Sequence, residues 1–168
     1  MKLLTLFLVV LLMSACGYTP SSKFSRYTLG QKISTSITIS AQDPENTVLI
    51  KDAVDSAIVE SLQASLVSKN ESDTHLELSI SKPRYSPIQY DSNGFVITYR
   101  MKVSLNILKY TNGVSKKYTT QGTHDFSIVA NAVVSDKERF DAIKFSATKA
   151  INEFLSRISA EGARINRE

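Results

Sequence analysis

His75, His124 and Cys16 are the residues of this chain whose side chains most often do acid–base, metal or nucleophilic chemistry. None of them has the company that such chemistry needs. With two histidines and one cysteine in 168 residues, neither histidine has a second ligand at the short spacing a metal site uses. A serine nucleophile needs a base oriented by a third group, and serines are so frequent here that nearness in sequence to a histidine says little. His75 falls on the polar phase of an alternating segment, and His124 is in phase with Tyr118 and Phe126; both read as structural. Asp52 and Asp55 share a helix surface, where water solvates them. Asp91-Ser92-Asn93-Gly94 is a turn and not a phosphate loop. The expectation is a protein that is not an enzyme and holds no metal and no cofactor apart from a covalent lipid.

The lipid comes from the chain's start. Leu3 to Met13 is apolar except for Thr5 and follows Lys2. That is the length of a signal-peptide core and is too short to span a bilayer, which takes roughly 20 apolar residues. Met13-Ser14-Ala15-Cys16 then resembles the bacterial lipobox, which implies a diacylglyceryl thioether and an acylated amine on Cys16. Three acyl chains, at about 0.8 kcal/mol per buried methylene, hold a protein on a membrane almost permanently. A plain signal peptide followed by a buried cysteine is the alternative. Gly17, rather than an aspartate, follows the cysteine and favours the outer membrane by resemblance to the common sorting pattern. Residues 1–15 are thus expected as signal peptide. Cleavage removes Lys2 and no acidic residue, so the formal charge falls from +4 to +3. That balance is not the footprint of a nucleic-acid binder.

The basic residues are the remaining candidates for binding. Arg100 and Lys102 share one phase of an alternating segment, and Lys117 is expected near them across a hairpin. Lys137 and Arg139 lie just inside the last helix, where they oppose its dipole. A solvated charged face is the bland reading of each; an anion site is the functional one.

The elements that must position these residues follow from periodicity. Residues 16–30 read as a tether, rich in Ser, Thr, Gly and Pro. Ile33, Ile37 and Ile39 mark a half-buried strand. Asp43 and Pro44 open a helix over roughly residues 44–68, with Ile50, Val54, Ile58, Leu62 and Leu66 at four-residue spacing. Leu76, Leu78 and Ile80 mark a second strand, stopped by Pro83 and Pro87. A turn at Asn93-Gly94 leads to a long strand alternating from Phe95 to Ile107. Asn112-Gly113 turns into a fourth strand, residues 118–128. Ser135 and Glu138 have capping-box spacing ahead of a last helix that runs to about Ala160, with Gly162 ending it. The fold expected is α+β: a two-layer sandwich in the order β-α-β-β-β-α, a mixed four-stranded sheet with two helices on one face. It should occupy residues 31–161, leaving 162–168 as a tail.

On "CGYTP", "QDPENTVLIKDAVDSAIVESL", "LELSISKPRYSPIQYDSNGFVITYRMKVSLNIL" and "HDFSIVANAVVSDKERFDAIKFSATKAINEFL", the chain resembles the LptE family of lipopolysaccharide-assembly lipoproteins, in the style of the campylobacter–helicobacter group. The resemblance implies a non-enzymatic outer-membrane lipoprotein that plugs the LptD β-barrel, assists its assembly and binds lipopolysaccharide in transit. It departs at two places: the arginine of well-known relatives falls on Ser92 and their lysine on Ser135, so the family's basic contacts do not transfer residue by residue. Another envelope lipoprotein, such as a secretin pilotin or a lipid-transporter auxiliary subunit, is the alternative.

Overall fold

The computed structural model describes residues 21–38, 44–62, 64–81 and 83–165. The elements run α1 (Ser21–Leu29), β1 (Lys32–Ile37), α2 (Pro44–Leu62), β2 (Ser65–Leu66), a 3-10 turn (Lys69–Glu71), β3 (Thr74–Ile80), β4 (Arg84–Tyr90), β5 (Val96–Thr111), β6 (Val114–Ser127) and α3 (Asp136–Ile165).

The sheet is organised around β5. One edge of this strand is shared end to end by two antiparallel partners: β3 along Leu105–Thr111 and β4 along Val96–Lys102. Its other edge carries β6 over nearly its whole length. β1 pairs parallel with β3, and β2 parallel with β1. Parallel neighbours need a crossover connection, and α2 supplies it between β1 and the β2–β3 segment.

The expected four-stranded, two-helix sandwich in the order β-α-β-β-β-α is overturned. The sheet has six strands and curls strongly into a half-barrel, and an additional helix precedes β1. Three physical reasons account for the difference. Pro83 and Pro87 disguised β4, yet Pro87 is tolerated because β4 is an edge strand whose outer side needs no donor. β2 is two residues long, too short to show alternation. The composition of residues 17–30 reads as a tether, but Leu29 and Ser25 are buried in α1 against α3, so tertiary packing overrides a weak local signal.

All three helices lie on one side of the sheet. Ile50, Val54 and Ile58 of α2, and Ile143, Ala147, Ile151, Phe154 and Ile158 of α3, are almost fully buried. They meet Leu76, Leu78, Met101, Val103, Leu105 and Ile107 from the sheet. α3 lies so close to β6 that a side chain on Gly122 would place its Cβ 1.9 Å from the Ser146 carbonyl oxygen. The capping box at the start of α3 forms: the Ser135 N–H donates to Glu138 Oε2 at 2.9 Å, and the Glu138 N–H to Ser135 Oγ at 3.2 Å. The helix does not stop at Gly162 but continues to Ile165.

Candidate functional site

The side of the sheet away from the helices is polar, as alternation along β5 requires. Arg100, Lys102, Ser104 and Asn106 point to it from β5, opposite Asp125, Thr123, Gln121 and Thr119 of β6. Arg100 is committed: its Nε and Nη2 donate to the two carboxylate oxygens of Asp125 at 2.7 Å each. That fork holds the Asp125 carboxyl below the usual range and raises the guanidinium further.

Lys102 and Lys117 are not neighbours. Lys102 pairs with Thr123, whereas Lys117 pairs with Leu108, six positions further along β5, or about 20 Å at strand spacing. Lys117 instead lines a hollow of about 260 Å³ with Thr38, Glu77, Ser79 and Asn106. Lys137 and Arg139 sit in the first turn of α3 and are both paired. Lys137 bonds Asp141 at 2.7 Å, and Arg139 lies 3.3 Å from Asp136. These acids offset the helix-dipole penalty that the sequence posed for them. Cys16 lies outside the described residues.

The residue that sequence reasoning missed is Arg84. It stands directly opposite Lys102 on the β4–β5 ladder and lines a polar hollow of about 300 Å³ with Lys102, Ser81 and Ser104. The signal was present in "RYSPIQY", where Arg84 and Ser86 alternate with Tyr85 and Pro87, but the prolines concealed the strand.

The histidines do not meet a catalytic partner set. His75 is buried, with Ser34 Oγ 2.7 Å from Nδ1 and Ser36 Oγ 3.0 Å from Nε2. Both ring nitrogens are thereby occupied, and among the described residues no carboxylate bonds the ring to orient it as a base. His124 packs on Phe145 at 4.8 Å between ring centroids, on the helix side of the sheet. Among the described residues no group of three His, Cys, Asp or Glu side chains could hold a metal, and no helix is long and apolar enough to cross a membrane.

The sheet is thus backed by helices on one side and presents a polar, cation-bearing face on the other. Residues 34–158 match the family model described as LptE: Lipopolysaccharide-assembly, and the chain belongs to that family of structural lipoproteins, which are not enzymes. The fold is similar to that of a putative lipoprotein from Caulobacter crescentus, with a TM-score of 0.57 at 12% identity over 86% of this chain and 96% of that one. It is also similar to rare lipoprotein B from Shewanella oneidensis, with a TM-score of 0.52 at 14% identity over 80% and 98%. No curated protein matches the chain in sequence. At those identities the two structures speak for the fold alone.

Proposed function

We propose that this chain is an outer-membrane lipoprotein, acylated on Cys16, that seats in the lumen of the LptD β-barrel, assists assembly of that barrel and binds lipopolysaccharide on its way to the cell surface. Within the family, its kinship is with the campylobacter–helicobacter group. The observation that carries the reading is the family match across residues 34–158. The open sheet face supports it: a polar surface suits the water-lined interior of a large barrel, and basic groups suit phosphates. Of the cations named from the sequence, Lys102 has no acidic partner among the described residues and Lys117 only shares a hollow with Glu77. Arg100, Lys137 and Arg139 are in exposed ion pairs.

The test is extraction of the affinity-tagged full chain from membranes in mild detergent, with identification of stoichiometric partners. A large outer-membrane β-barrel is the expected partner. A secretin, or an inner-membrane transporter, recovered in its place would sink the reading.

A further inference from the structure

Arg84 and Lys102 are Cα partners on the β4–β5 ladder. Cross-strand partners hold their Cβ atoms about 4.5–5.5 Å apart, and like charges so placed repel. Two other cations of the sheet have an acid: Arg100 has Asp125, and Lys116, which faces Lys109 across the β5–β6 ladder, has Glu161. Lys117 shares its hollow with Glu77. Neither Arg84 nor Lys102 has an acidic partner among the described residues. Asp125, in the next row of the ladder, is held by both of its oxygens to Arg100. Backbone register therefore fixes two uncompensated cations side by side, a cost to the fold that a bound anion would relieve.

The surroundings are those of an anion site. Ser81 and Ser104 line the same hollow of about 300 Å³ as the two cations. The Ser81 N–H donates to the Ser104 carbonyl at 3.1 Å, which keeps the two serines together. Thr123 lies across from Lys102 on the other strand. The hollow thus offers a guanidinium fork, an ammonium and hydroxyl donors. A guanidinium binds planar oxygen pairs bidentately, and an ammonium acts as a point charge beside it. Two positive charges match a dianion better than a single carboxylate.

We propose that Arg84 and Lys102, with Ser81 and Ser104 beside them, form a phosphate-class anion site on the open face of the sheet. Free phosphates and the phosphorylated headgroup of a glycolipid share this chemistry. The site stands on its own geometry; only the choice of a glycolipid as the source rests on the function proposed above.

The test uses the full chain in neutral detergent micelles and calorimetric titration with three probes: inorganic pyrophosphate, lipid A, and dephosphorylated lipid A. Pyrophosphate binding that weakens with salt is expected. Arg84→Glu should lower that affinity at least tenfold while raising the melting temperature, because it turns a repulsive pair into an ion pair. The double change Arg84→Ser, Lys102→Ser gives the same loss without charge reversal and carries the test if Arg84→Glu fails to fold. Lys144→Ser, on the helix layer, should leave binding unchanged. Lipid A bound, dephosphorylated lipid A not bound, and both effects lost in the variants identify a headgroup site. Pyrophosphate bound but lipid A ignored keeps the anion site and overturns only the glycolipid source. Binding of neither, or unchanged affinity in a folded variant, overturns the site.

Discussion

Burial decides the chemistry of His75. The ring is enclosed by Ser34 and Ser36 of β1 and stacks on Tyr110 at 6.2 Å between centroids. Burial, with a smaller contribution from Lys69, holds its pKa below the ordinary histidine value, and Glu77 opposes the shift. A folded-state pKa below the unfolded one means that the unfolded chain takes up a proton the fold resists. Stability is then full above about pH 6.5 and declines as pH falls toward the folded pKa. Other groups act in a different window. Hydrogen bonds hold down the carboxyls of Asp73, Asp125 and Glu138; for Glu161 burial pushes upward, and the hydrogen bonds from Lys116 and Tyr118 together with the charges of Lys116 and Lys109 turn the balance downward. Their contributions are lost only below about pH 4. Urea denaturation at pH 7.5 and pH 5.5 should therefore show a loss of stability at the lower pH that His75→Gln reduces. An unreduced loss in the variant would assign the effect to another group.

Between elements, the closest approach joins α1 to α3. A Cβ on Gly162 would lie 2.1 Å from the Phe24 carbonyl oxygen, and Ser25 and Ser159 share a hydrogen bond between the same two helices. In a free helix, Gly→Ala stabilises by about 0.8–1.0 kcal/mol. Here Gly162→Ala must push α1 away, and overpacking costs about 1–3 kcal/mol. The expected outcome is a net loss in melting temperature together with faster proteolysis within residues 21–29; a rise in melting temperature would show that α1 yields freely. This contact also marks the limit of reading elements from sequence. The stripe of α3, Ile50, Val54 and Ile58 of α2, the alternation of β5 and the Ser135–Glu138 box were legible because each is a periodic or local pattern; the helix expected to about residue 68 ends at Leu62, and Leu66 lies exposed in β2. α1 was not, because its nine residues are held by a contact made with a helix more than a hundred positions away. β4 was not, because proline rules distinguish edge from centre only once the sheet order is known. The candidate site followed the same rule: the outward phase of Arg100 and Lys102 was legible, but the pairing of Lys102 with Arg84 and of Arg100 with Asp125 depends on register.

At the scale of the molecule, the structure has two unlike ends. One holds the Asn112-Gly113 turn, the ion pair of Lys116 with Glu161, and α1 lying against the last turns of α3. The other holds the Asp91–Gly94 turn, with Tyr90 and Phe95 exposed beside it. The 16 residues of β5 separate them, about 50 Å at strand rise. Cys16 precedes Ser21 by five peptide steps, which span at most about 18 Å, so a lipid on Cys16 would keep the α1 end near the bilayer. Because the chain has no other cysteine, acylation would leave a thiol-free background for labelling. Fluorophores on Asn112→Cys and Asn93→Cys, in the full chain reconstituted alone in vesicles carrying nitroxide lipids, should differ. The label at 112 should be quenched and the label at 93 spared. Adding Cys16→Ala, with the signal removed, should abolish quenching at 112 and release the protein from the vesicles. Equal quenching at both sites would mean that the domain lies flat on the membrane, and stronger quenching at 93 would mean that it docks by the opposite end.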